Sequence, residues 1–286
     1  MNKVKLFQIL NDCYIKVLIA TICLLLSPFF LQSQSDTSYQ QLFKIEDVEY
    51  FTIDPLQNIY CLSSSGELTK YDPSGKVLFS WSNTTLGAVT FIDASDPFNI
   101  LLFYAEQQNL VLLDRTLNER SRLDLRASEI GQAAAVALSF DNNIWIYDDY
   151  EGILVKMDEH SNILLKSDFL GLSVGINQPV RHIFRWKDMV LVNFPEKGIA
   201  VFDLSAQLKD WWFLPGILDG QVLERGFSYY NNKGHFVYYP AIDLVQSVDS
   251  PLLNEYTMMR TAFSKQYLLS KEGVLFVSLK HKKNEK

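Results

Sequence analysis

The chain has 286 residues, 48% of them hydrophobic and 13% aromatic, with 26 Lys and Arg against 33 Asp and Glu for a net charge of -7. A domain of this size buries roughly 70–75% of its unfolded surface, so it needs no cross-links to hold a core. The acidic balance argues against nucleic acid, whose phosphates call for a basic face.

At the N-terminus, Lys3, Lys5 and Lys16 precede an apolar run from Val17 to Leu31, broken by Ser27-Pro28 and followed by Gln32-Ser33-Gln34-Ser35. This is the pattern of a secretory signal peptide cleaved near Ser35. The run is roughly 15 residues where a membrane-spanning helix needs about 20, and an uncleaved N-terminal anchor is the alternative. A lipid anchor through Cys23 is disfavoured by Ile22, which stands where such processing takes a small residue. Loss of residues 1–35 removes Cys13 and Cys23 and leaves Cys61 alone, so the mature chain forms no internal disulfide. It also removes three lysines and one aspartate, taking the net charge to -9. The expected layout is residues 1–35 as signal, 36–280 as one domain and 281–286 as a basic, solvated tail.

Within the body, Asp54-Pro-Leu-Gln-Asn58-Ile-Tyr60, Gly66-Glu-Leu-Thr-Lys-Tyr71-Asp72 and Gly75-Lys-Val-Leu78 are echoed by Asp141-Asn-Asn143-Ile-Trp145, Gly152-Ile-Leu-Val-Lys-Met157-Asp158 and Asn162-Ile-Leu-Leu165. A landmark aspartate ends the third strand of each unit at Asp72, Asp114, Asp158 and Asp203, spaced 42, 44 and 45 residues apart. Short alternating strands cannot bury their faces alone, and this period predicts units packed radially as a β-propeller. Innermost strands are expected at Val48 to Asp54, Ala88 to Asp93, Val136 to Asp141, Val180 to Trp186, Leu223 to Tyr230 and Met259 to Lys265, which makes six blades. In the fifth, His235–Tyr239 reads as the second strand, Leu244–Val248 as the third and Pro251 to Tyr256 as a poor fourth. The sixth ends after Leu275–Leu279 without an outer strand, and Gln41–Ile45 is expected to supply it, because an open ring would expose a sheet edge. Tyr60, Phe103, Tyr104, Trp145, Tyr147, Phe202, Phe236 and Tyr238 fall on hairpin strands and read as packing between blades.

From Asp54 to Leu62 and from Lys70 to Leu78 the chain resembles the blades of NHL-type and related TolB-like six-bladed β-propellers. The likeness is good over residues 48–81 and 136–166 and loose over 181–214. Gln57-Asn58 and Asn142-Asn143 replace the family's usual Gly-Asn, and Glu67 or Ile153 its arginine. The resemblance implies the fold and leaves function open, because propellers host lactonases, lyases, receptors and scaffolds alike.

Aligning innermost strands and stepping back five residues brings Glu49, Val136, Arg181, Arg225 and Arg260 to equivalent places. Three arginines at one arc of the channel mouth would recognise a carboxylate or phosphate with their planar forks. The same positions would repel the channel calcium of six-bladed lactonases, which takes oxygen ligands. His160, His182, His235 and His281 have no partner at zinc-ligand spacing, so neither metal nor cofactor is expected. His182, beside Arg181, is the histidine expected nearest the channel. Gly-x-Ser-x-Gly is absent. Asp148-Asp149 reads as a turn. Adjacent strand residues face opposite ways, so Trp211-Trp212 should bury one indole and offer the other to a partner at the rim. The reading that follows is an exported, non-enzymatic binding or scaffold propeller, periplasmic or associated with the outer membrane, with an envelope protein partner and an anionic small ligand. The alternative is a lactonase- or lyase-like hydrolase acting at the channel mouth, with His182 as base and the three arginines holding an anionic substrate.

Overall fold

The computed structural model describes residues 37–171, 178–248 and 255–282; the signal segment, most of the tail and most of Pro251 to Tyr256 lie outside them. The chain divides into a compact unit, Gln40–Lys280, and a second unit of Met1–Tyr39 with His281–Lys286.

The strands are β1 (Thr37–Ile45), then β2 (Tyr50–Ile53), β3 (Ile59–Leu62), β4 (Leu68–Tyr71) and β5 (Val77–Trp81) as the first blade. The second blade is β6 (Phe91–Asp96), β7 (Asn99–Tyr104), β8 (Asn109–Asp114) and β9 (Glu119–Asp124); the third is β10 (Ala133–Leu138), β11 (Ile144–Asp148), β12 (Ile153–Met157) and β13 (Ile163–Lys166). The fourth is β14 (His182–Trp186), β15 (Met189–Phe194), β16 (Gly198–Asp203) and β17 (Leu208–Trp212); the fifth is β18 (Asp219–Val222), β19 (Phe227–Asn231), β20 (Gly234–Tyr239) and β21 (Leu244–Val248). The sixth contains β22 (Tyr256–Ala262), β23 (Lys265–Ser270) and β24 (Leu275–Lys282), with β1 beside β24 as its outer strand. Six four-stranded antiparallel sheets closed by the N-terminal strand are the architecture the repeat predicts.

The landmark aspartates are turn builders. Oδ1 of Asp72, Asp114, Asp158 and Asp203 accepts the backbone N–H groups two and four residues on, for example Thr116 at 2.7 Å and Asn118 at 2.9 Å for Asp114. The third residue on takes a positive φ in every case, at Gly75, Leu117, Ser161 and Ala206. A short carboxylate satisfies these N–H groups, so the tight link to the outer strand tolerates residues other than glycine in the left-handed region. Asp54 holds the first hairpin of its blade the same way, through Leu56 and Asn58.

The recurrent lysine two residues before the landmark aspartate is also structural. Lys70 and Lys156 are buried, with their ammonium groups 5.0 Å and 5.2 Å from the rings of Tyr60 and Trp145. Lys70 Nζ donates to the Arg115 carbonyl of the next blade at 2.8 Å, and Lys156 pairs with Asp141. Apolar side chains fill the spaces between blades. Trp145 and Tyr147 of the third meet Phe194 and Phe202 of the fourth in one buried cluster, each aromatic contributing about 2–3 kcal/mol of burial. Of the aromatics expected between blades, Phe236 alone is half-buried and the others are buried.

The fifth blade departs from its expected register. Its innermost strand is β18, and the segment expected to fill that place, Leu223 to Tyr230, contains a hairpin turn and β19. His235–Tyr239 is accordingly the third strand and Leu244–Val248 the outer one. Glycine makes this packing fit. A Cβ on Gly220 would sit 2.3 Å from the Phe227 ring, and one on Gly226 would sit 2.4 Å from the Tyr238 carbonyl oxygen.

Candidate functional site

The innermost strands surround a channel cavity of 440 Å³. Its walls include Tyr50 of β2, Phe91 and Asp93 of β6, His182, Phe184 and Arg185 of β14, Asp219 of β18 and Arg260 of β22. Pro55, Phe140 and Phe263, which follow the ends of their innermost strands, line it too, and Phe140 and Phe263 are exposed. Aromatic rings form a belt in which Tyr50 lies 6.5 Å from Phe91, Phe91 lies 5.7 Å from His182, and His182 lies 5.7 Å from Phe184.

Asp93, Asp219 and Arg260 in this wall have settled partners, and Arg185 is the exception among its charged groups. Arg260 grips Asp219 with both terminal nitrogens, Nη2 donating to Oδ1 at 2.9 Å and Nη1 to Oδ2. Burial works against the Asp219 charge, but the guanidinium outweighs it and leaves the carboxyl below the usual range. Tyr230 donates its hydroxyl to the Met259 carbonyl at 3.1 Å, and burial raises its pKa and that of Tyr50 well above the usual phenol value. Burial lowers the His182 pKa to about 4; Asp219 acts against the shift, and Arg260 and Arg181 act with it. His182 is therefore neutral at pH 7. Asp93 accepts the Ser95 N–H on Oδ1 and the Leu138 N–H on Oδ2, each at 2.8 Å. The exception is Arg185: Nη2 donates to Ser95 Oγ at 2.7 Å, Nε is buried without a partner, and the guanidinium lies 4.1 Å from the Phe140 ring centre.

Of the site residues read from sequence, His182 and Arg260 come together in this wall. Arg181 is exposed, and its Nη1 donates to the Leu218 carbonyl at 3.0 Å. Arg225 lies exposed in the β18–β19 turn and Glu49 lies exposed just before β2; neither lines the cavity. Asp219, Arg185, Phe91 and Phe184 also line the cavity, and no sequence motif marks them. At the rim, Trp212 is buried against Trp186 and Tyr238 at 5.5 and 5.2 Å, joining the fourth and fifth blades. Trp211 is half-buried, lies 5.5 Å from the Phe194 ring and donates Nε1 to the Lys197 carbonyl at 3.2 Å. Beside it, Phe213 is 81% exposed, which makes it the open side chain of this stretch.

Away from the channel, Ser228 Oγ and His235 Nε2 are 2.7 Å apart, yet both residues are buried and His235 Nδ1 has no partner to orient the ring. Burial lowers the His235 pKa to about 4. This pair is enclosed packing between strands. Among the described residues, no three His, Cys, Asp or Glu side chains gather as a metal site would require.

Neither a protein-family model nor a curated protein matches the chain. Among solved structures it is similar to the WD40 domain of Neurospora crassa Pan2, at 8% identity and a TM-score of 0.63, over 88% of this chain and 98% of that one. A catalytically inactive histidine-to-alanine variant of Staphylococcus aureus virginiamycin B lyase, solved with quinupristin, matches at 7% identity and a TM-score of 0.59, over 85% and 99%. A streptogramin B lyase matches at 10% and 0.56, over 87% and 88%. At these identities the likeness establishes the fold alone. The chain is a six-bladed β-propeller.

Proposed function

We propose that this chain is an exported, non-enzymatic β-propeller that serves as a binding module of the bacterial cell envelope, making its contacts through the channel mouth and the rim. The state of the channel's ionisable groups carries this reading. Arg260 and Asp219 neutralise each other, Asp93 accepts backbone N–H groups on both oxygens, and His182 is neutral between two phenyl rings. What they enclose is an aromatic-walled cavity of the size that suits a small ligand, 440 Å³. Export rests on the signal-like pattern of residues 1–35.

A hydrolase or lyase working on an anionic substrate would require Arg260 to abandon Asp219. It would also have to recruit Arg181 from the Leu218 carbonyl and Arg225 from a turn outside the cavity wall. The lyases that share the fold lend it no residue-level support.

The test is a photo-crosslinking amino acid placed singly at Phe140, Phe263 and Phe213 in the protein expressed in its own cells. Crosslinks to an envelope component at the mouth or rim, with the protein fractionating outside the cytoplasm, are expected. Uncrosslinked monomer at all three positions, in a cytoplasmic fraction, would overturn the reading.

A further inference from the structure

Among the described residues, Arg185 is the cation of the channel wall that makes no ion pair, and its Nε has no hydrogen-bond partner. Among the described residues no carboxylate lies within ion-pair distance of it, whereas Arg260 in the same wall is held at both terminal nitrogens. The nearby acids are Asp93 and Asp96, and both are engaged. Asp93 accepts from Ser95 and Leu138; Asp96 accepts from the Phe98 N–H at 2.9 Å and from Asn99 Nδ2 at 2.7 Å. Burial lowers the Arg185 pKa, with these two acids acting against the shift. A half-buried guanidinium with no direct ion-pair contact and a nitrogen left unbonded is costly, so an arriving carboxylate that pairs with it is favoured. Stacking on Phe140 at 4.1 Å and the bond to Ser95 Oγ at 2.7 Å fix the guanidinium plane. A planar fork held this way is suited to a planar carboxylate.

We infer that the channel is a receptor site for a small aromatic monoanion, with its carboxylate on Arg185 and its ring against the belt of Tyr50, Phe91, His182 and Phe184. This rests on reading the channel as a binding cavity. The cavity's 440 Å³ accommodates a compact ring body, and the rings already in its wall provide faces and edges on which another aromatic packs. Asp93 and Asp96 repel additional negative charge, so a monoanion is preferred to a phosphate dianion or a dicarboxylate.

Isothermal titration at low salt with naphthoate, and with the isosteric neutral naphthamide, tests the assignment on the full chain. Naphthoate should bind at least tenfold tighter than naphthamide to the unaltered protein. Arg185→Met should remove that preference, Arg185→Lys should keep only part of it because the fork is lost, and Arg225→Met should leave it intact. Equal binding of the two probes would overturn the role of Arg185 while leaving the cavity reading in place. Binding of neither would remove the cavity reading as well. Should Arg185→Met fail to fold, the naphthoate-to-naphthamide ratio and the Arg185→Lys variant still decide the matter.

Discussion

Arg260 of the sixth blade and Asp219 of the fifth form a two-pronged ion pair across neighbouring innermost strands, with side chains only 13% and 18% exposed. Removing one partner leaves the other charged in a place that water reaches poorly. Arg260→Met should destabilise the protein by about 3–5 kcal/mol, and Arg260→Met combined with Asp219→Leu should recover most of that loss. Urea denaturation of both variants checks this; a single substitution within about 0.5 kcal/mol of the parent would show that the pair contributes little.

Acid should weaken the fold in two steps. The folded pKa values of His182 and His235 lie near 4, below their ordinary 6.5, so the unfolded chain takes up protons first. Their contribution is fully present above pH 6.5 and is lost as the pH falls toward 4. Asp114 is held at about 2, against an ordinary 3.8, by donors from Thr116 and Asn118, and its contribution disappears below that first window. The melting temperature followed from pH 7.5 to 2 should therefore decline first between about 6.5 and 4. His235→Gln should flatten that first decline, and a parent curve level down to pH 4 would contradict the assignment.

Ring closure can be probed at a glycine. Gly75 has φ of +87°, and a Cβ there would lie 2.7 Å from the Phe43 ring of β1. Gly75→Ala should cost about 1–2 kcal/mol from the backbone alone. The contact with Phe43 should appear as a coupling of about 0.5–3 kcal/mol in a double-mutant cycle with Phe43→Ala. Strictly additive energies would mean that β1 does not rest on the first blade's turn.

Neighbouring residues Trp212 and Phe213 should behave oppositely. Trp212→Ala opens a hole between the fourth and fifth blades and should cost about 3–5 kcal/mol. Phe213→Ala removes a solvated ring and should stay within about 0.5 kcal/mol. Any loss of partner binding without loss of stability would then be attributable to Phe213. Comparable melting shifts in the two variants would contradict this division.

The scaffold was legible because its turn chemistry repeats in one-letter code. An aspartate that must accept N–H groups two and four residues on recurs at Asp72, Asp114, Asp158 and Asp203. The missing outer strand could be inferred because a sheet edge at the end of the chain needs a partner. The fifth blade was illegible for an equally local reason. In its innermost strand, Asp219–Val222, Gly220 places a bare backbone under Phe227 where an apolar side chain would be expected, so alternation does not show. In sequence the alternating pattern begins only with β19, which sets Arg225 at the channel and hides Asp219, the group that neutralises Arg260. Arg185 escaped notice because stepping back one fixed interval per blade samples a single level of a channel that has several.

Because the sheet that closes the ring pairs β1 with β24, the earliest of the described strands cannot find its place until the latest of them exists. At about 5–20 residues per second, ribosomal synthesis leaves β1 waiting on the order of ten seconds or more. During that interval its unpaired edge is free to pair with other chains. Truncated or stalled products should therefore be the aggregating species, and the time spent incomplete, more than the strength of the finished core, should govern the yield of native protein.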